Sequence, residues 1–69
     1  MFRSDRIRAY RTAAGLSQMG LAERAGMRFT FVSAVERGQR NPTLTTILSL
    51  AEGLGIEPSE LLVGLRRGT

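Results

Sequence analysis

Hydrophobic residues recur along this chain at intervals of three and four, the period of a helix, and no stretch reads as a strand. The pattern predicts five helices. The first runs from about Ser4 to Ala14, with Ile7, Tyr10, Arg11 and Ala14 on one stripe and Gly15 as its stop. The second runs from Ser17, whose hydroxyl is suited to cap it, to Ala25. Its apolar face is Leu21, Ala22 and Ala25, and Ala22 is small where a neighbouring helix would cross. The third spans about Arg28 to Arg37 and buries Val32 and Val35. After the loop Gly38-Gln39-Arg40-Asn41-Pro42, a fourth begins past Thr43 and is expected to bury Leu44, Ile47, Leu48, Ala51 and Leu54 before Gly55 closes it. A fifth is expected near Pro58, a residue suited to a first helical position, and to carry Leu61, Leu62 and Leu65. The fold class expected is all-α, in one domain over residues 1–69 with its core at about 4–65.

The second and third patterns carry the most information. Two short helices meet at Gly26, where a chain commonly leaves a helix in the left-handed conformation that glycine adopts cheaply. With Val32 and Val35 turned inward, the third helix shows Arg28, Phe29, Thr30, Ser33, Ala34 and Arg37 outward. That arrangement is a helix-turn-helix, and such a face beside a basic surface is the ordinary reader of the major groove.

Charge sharpens this reading. Residues 1–40 hold eight Arg against three acids, and residues 41–69 hold two Arg against three Glu. The basic half therefore contains the helix-turn-helix, as expected of a face meant for a polyanion. All ten cations are Arg. Arg suits bidentate contacts with phosphate and guanine, although a GC-rich coding sequence produces the same bias and is the weightier cause.

The chain has no His and no Cys, which excludes a His-based acid/base or metal site and a thiolate nucleophile. Its serines lack an activating base. Glu57 and Glu60 read as acids favoured by a helix N-terminus, not as a catalytic pair. No enzyme, metal, cofactor or small-molecule ligand is expected. No apolar run approaches the roughly 18 residues of a membrane span, and the N-terminus lacks a signal-like segment, so a cytoplasmic protein without a membrane partner is expected.

The run Ile7-Arg8-x-x-Arg11-x-x-x-Gly15-Leu16-Ser17-Gln18-x-x-Leu21-Ala22-x-x-x-Gly26 continues with Val32-Ser33-x-x-Glu36-x-Gly38-x-Arg40-x-Pro42. Leu50-Ala51-x-x-Leu54-Gly55-Ile56 then follows. Together these blocks resemble the Cro and phage-repressor helix-turn-helix family, the Xre-like regulators, over about residues 5–63. Phe31–Pro42 also resembles the short controller proteins of restriction–modification systems. The resemblance implies a compact five-helix, lambda-repressor-like domain that binds duplex DNA. Three residues depart from the family pattern. Gly20 stands where Glu would complete a capping box with Ser17, and it costs the helix roughly 1 kcal/mol against Ala. Arg28 stands where Ser, Thr or Asp usually caps the recognition helix. Gly53 replaces a usual Ala.

The resemblance also implies residue roles. Arg28, Phe29, Thr30, Ser33 and Ala34 match the base-reading and near-base positions. By chemistry, Arg28 suits guanine O6/N7 or a phosphate. Thr30 offers a hydroxyl and a methyl. Phe29 suits a thymine methyl or local packing onto helix two. Gln18 matches a residue that bridges a DNA phosphate and the start of the recognition helix, and Arg40 and Asn41 match a loop that sits on the duplex backbone. Arg37 and the exposed edge of Arg11 are further phosphate candidates. Phe31 either packs sideways against helix four, lies over the sugar-phosphate backbone, or reads a base. Arg11 and Glu36 match a partly buried ion pair tying helix one to helix three.

One helix-turn-helix covers few base pairs, and relatives bind two half-sites about one turn apart, so a homodimer on a (pseudo)palindromic operator is expected. Ile56, Leu61, Leu62, Val63 and Leu65 are more apolar than one face of a short terminal helix needs. Of these, Ile56, Leu61, Leu62 and Leu65 are the candidate interface. The alternative is a protein-interaction module such as an antitoxin, for which the expected sign, a toxin-binding tail, is missing from the few residues after helix five.

Overall fold

The computed structural model of the chain describes residues 4–62. Within them lie four α-helices: α1 (Ser4–Ala13), α2 (Gln18–Ala25), α3 (Phe29–Glu36) and α4 (Leu44–Leu54), followed by a 3-10 turn at Pro58–Leu61. There is no strand among the described residues. The helix boundaries follow local chemistry. Ser17 Oγ accepts the Gly20 N–H at 2.9 Å and opens α2. Gly26 closes it at φ 70°, and the Gly26 and Met27 N–H groups turn back to the Ala22 carbonyl. Thr43 Oγ1 accepts the Thr46 N–H at 3.2 Å and opens α4. As the side chain at its N-terminus predicts, α3 starts at Arg28 without any side-chain cap.

One core joins these elements. Ile7, Leu21, Ala22, Val32, Val35, Ile47, Leu50, Ala51, Leu54 and Leu61 are buried, and Tyr10, Leu16, Ala25, Met27, Phe31, Ile56 and Leu62 pack partly against them. The inward faces of α2 and α3 are those expected from their spacing.

The structure corrects α4. Leu44 and Leu48 are 61% and 47% exposed, while Leu50, outside the expected stripe, is fully buried. The core-facing row is Ile47, Leu50, Ala51 and Leu54. Leu44 and Leu48, spaced i and i+4, lie on the neighbouring face, because each residue turns the helix by about 100°. Ala14 is likewise exposed, in the turn past α1, and not on its buried stripe.

The element expected from Pro58 onward is present only in its first part. Among the described residues it is a single 3-10 turn. Pro58 opens it, Glu57 and Glu60 form a capping box, and Leu62 leaves it at φ −112° and ψ 54°. Leu61, the last residue of the turn, is fully buried in the core. Val63 and Leu65 lie outside the described residues.

Gly53 has a tertiary cause too. A Cβ there would meet the Ala25 backbone N at 3.2 Å and Leu21 Cδ1 at 3.2 Å. The glycine therefore lets α4 lie close against the end of α2. Arg24 of α2 uses the same approach, donating from Nε to the Gly53 carbonyl at 2.9 Å. That carbonyl is one of the last four of α4, which have no partner within the helix, and a cation is favoured there.

Candidate nucleic-acid interface

The site is built around α3, whose two sides are held in different ways. On the inner side Val32 and Val35 enter the core and Glu36 follows them. The Glu36 side chain has no exposed surface. Arg11 meets it through two hydrogen bonds, Nε to Oε2 at 2.6 Å and Nη2 to Oε1 at 3.1 Å, a fork-on-carboxylate geometry. Gln18 Nε2 donates to the same Oε1 at 3.0 Å, and Arg8 Nε lies 3.9 Å from it. Arg11 also donates from Nη1 to the Leu16 carbonyl at 2.9 Å. One buried carboxylate thus joins α1, the loop before α2, the first residue of α2 and the last residue of α3. No described buried side-chain polar atom lacks a partner.

This arrangement bears on two expected phosphate residues. All three Arg11 nitrogens are engaged within the protein, and 12% of its side chain is exposed. It is therefore a structural cation, with little surface left for DNA. Gln18 keeps its place at the α2 N-terminus, exposed in part and fixed by Glu36, which orients its amide.

On the outer side, Arg28, Phe29 and Thr30 are exposed on the first turn of α3, and Phe29 is 43% exposed despite being apolar. Ser33 and Ala34, one turn on, are half-buried. Arg37, Arg40 and Asn41 are exposed at the far end and in the following loop. Phe31 is half-buried against the core, and the Arg40 guanidinium sits 5.5 Å from its ring centroid. That geometry is within cation–π range, and it makes Phe31 a platform for Arg40. Arg37 donates to Ser33 Oγ at 2.7 Å and to Gln39 Oε1 at 3.0 and 3.3 Å. Gln39 is a residue that sequence reasoning misses. Ser33 and Arg37 at i and i+4 are a legible pair, whereas Gln39 lies past the helix end, where no periodicity applies.

The HTH_3 helix-turn-helix family model matches residues 7–61. The chain belongs to this helix-turn-helix family. Among its relatives, the control protein C.SmaI of Serratia marcescens is 41% identical over 59 residues, covering 86% of this chain and 70% of its own length. The crystal structure of the restriction-modification controller protein C.AhdI from Aeromonas hydrophila superposes with a TM-score of 0.82 at 53% identity, covering 84% of this chain and 88% of that one. The biofilm master regulator SinR, solved in complex with DNA, superposes with a TM-score of 0.81 at 32% identity, over 86% of this chain and 95% of its own. The family match spans α1 through the 3-10 turn, and so includes both the Glu36 hub and the outer face of α3.

Of the residues expected at a dimer interface, Leu61 is corrected: it is fully buried core. Ile56 and Leu62 are half-buried against that core, and Leu65 lies outside the described residues. No described helix is long and apolar enough to cross a membrane. No described group of three or more His, Cys, Asp or Glu is placed to hold a metal ion.

Proposed function

We propose that this chain is a sequence-specific regulator of transcription that binds duplex DNA with α3 in the major groove. The observation that carries the reading is the first turn of α3. Arg28, Phe29 and Thr30 are exposed together there, at the end of a recognition helix that normally meets base edges. Arg28 and Thr30 carry base-edge chemistry, and Phe29 leaves apolar surface for a thymine methyl. Gln18 at the start of α2, and Arg40 and Asn41 in the loop past the far end of α3, hold the sugar-phosphate backbone, which sets register without reading sequence. The DNA complex of the relative SinR and the controller names of C.AhdI and C.SmaI support the same reading. Of these, the restriction-modification controller C.AhdI favours control of restriction–modification genes as the setting.

The operator is a (pseudo)palindrome bound by a homodimer, because two helix-turn-helix units about one duplex turn apart are needed for tight, specific binding. With Leu61 in the core, the described residues still expose apolar surface at Met19 on α2 and at Leu44 and Leu48 on α4, and the α4 pair, with the half-buried Ile56 and Leu62, is the surface proposed for a second copy. The test is selection of bound sequences from a random duplex pool, with affinity followed against salt. A single palindromic motif is expected, with log K falling by about 0.9 per phosphate contacted for each unit of log salt. Selection of no motif, or binding flat with salt, overturns the proposal.

A further inference from the structure

Arg37, just past α3, is held differently from Arg11 of α1. Its guanidinium offers five N–H groups. Nε and Nη2 donate to Gln39 Oε1 at 3.3 and 3.0 Å, and Nη1 donates to Ser33 Oγ at 2.7 Å. Three donors are satisfied, and one N–H on each terminal nitrogen is left over. Both partners are neutral, so the positive charge is oriented but not cancelled. Arg11 presents the opposite case, its charge met directly by the Glu36 carboxylate. Arg37 is also exposed, as is Gln39. An exposed arginine loses considerable side-chain freedom when it grips a ligand. A cation already aimed by neutral acceptors loses less, and this raises affinity without adding any interaction with the ligand.

We propose that Gln39, with Ser33, is a positioning residue that presents the free N–H groups of Arg37 to one phosphate of the DNA backbone. Resting on the reading that α3 faces a duplex, the inference adds a role for Gln39 and changes the role of Ser33. Ser33 Oγ is occupied by Arg37 and acts through it, not directly on a base edge. Two terminal N–H groups match the paired oxygens of a phosphodiester. Phosphate is favoured over guanine because Arg37 lies at the C-terminal end of α3, whereas base edges are met by the N-terminal residues of such a helix.

The test is duplex binding by the full chain, against a panel of single-base operator variants and across a salt series. Arg37→Ala is expected to weaken all sequences alike and to reduce the salt slope by about 0.9. Gln39→Met keeps the length of the side chain and removes the acceptor. It and Ser33→Ala are each expected to weaken binding roughly threefold, uniformly across the panel, as a weakened backbone grip should. In an Arg37→Ala background, Gln39→Met is expected to have no further effect, because residues acting through one shared group are not additive. Thermal midpoints should stay at the parent value in every variant, since these side chains lie outside the core. Additive losses overturn the positioning role. Re-ranking of the panel by Ser33→Ala shows that Ser33 reads a base directly, and re-ranking by Arg37→Ala places the fork on guanine; either overturns the inference while leaving duplex binding intact. A parent that binds no duplex overturns the proposed function itself.

Discussion

The two faces of α3 hold charge in opposite ways. Glu36 and Arg37 are adjacent in the chain, yet Glu36 has a fully buried side chain ringed by Arg11, Gln18 and Arg8, and Arg37 is exposed and bonded to neutral acceptors. A buried charge needs a partner, because removing it from water is costly. An exposed charge needs none, and remains available for a polyanion. The same helix therefore has a side that fixes its position in the domain and a side free to meet DNA. The comparison implies that mutations on the inner side change folding, and that mutations on the outer side change binding alone.

The largest effect is expected at the hub. Glu36→Ala strands Arg11 and frees Gln18, and removal of one partner from a buried pair costs about 3–5 kcal/mol. That approaches the whole stability of a chain this size, at roughly 0.05–0.15 kcal/mol per residue. Thermal unfolding followed by circular dichroism should show a collapsed midpoint or no cooperative transition. A midpoint within a few degrees of the parent contradicts the hub.

Next is Gly53. Alanine there brings a Cβ to 3.2 Å from both the Ala25 backbone N and Leu21 Cδ1, and overpacking of this kind costs about 1–3 kcal/mol. Helix propensity acts the other way, by roughly 1 kcal/mol in favour of alanine. Backbone cannot retreat as a flexible side chain can, so net destabilisation is expected in denaturant titration. A more stable Gly53→Ala protein would show that α2 and α4 have room to separate.

The difference between these two sites and the outer face also explains what can be read without a structure. Ser17, Gly26, Thr43 and Gly55 mark helix ends by local chemistry, and Leu21, Ala22, Val32 and Val35 follow helical period. Thr30 is legible as outward for the same reason, lying opposite Val32 and Val35, whereas Arg28 and Phe29, four and three residues before Val32, are exposed although period alone places them on its side. The α4 face is ambiguous. Leu44, Ile47, Leu48, Leu50, Ala51 and Leu54 offer apolar residues on two adjacent faces, and period alone does not choose which one meets α2. Pro58 marks a helical start but not its length, and Leu62 leaves the helical conformation after one turn. In sequence Gly53 is a sacrifice of helix propensity, and only the 3.2 Å approach of α2 explains it.

Tyr10 and Glu60 stand 50 residues apart, and no sequence pattern joins them. In the structure the Tyr10 hydroxyl donates to Glu60 Oε1 at 2.7 Å, and Arg6 Nη1 donates to the Glu60 carbonyl at 3.0 Å, clasping α1 to the 3-10 turn. This clasp carries the smallest predicted stability effect. The hydrogen bond to the Glu60 carboxylate raises the Tyr10 pKa above its ordinary 10.0. The protonated phenol is the donor, and its pKa is higher folded than unfolded. Its contribution is therefore complete below the ordinary value and is lost as pH rises through the raised one. The parent should lose a small increment of stability in that alkaline window, and Tyr10→Phe should lack this increment. Identical pH profiles for the two proteins contradict the clasp.

In the proposed interface the first turn of α3 reads bases, while Gln18 and the loop past α3 hold the backbone. The most direct test is competition of Arg28→Ala, Thr30→Ala and Gln18→Ala proteins against a panel of single-base operator variants, with helical content checked in each. Arg28→Ala and Thr30→Ala are expected to relax preference at particular base pairs, by about 1–3 kcal/mol for each base edge no longer read. Gln18→Ala is expected to weaken every duplex nearly equally. If Gln18→Ala re-ranked the variants while Arg28→Ala and Thr30→Ala left the ranking intact, α3 would not be the reader and the account would be wrong.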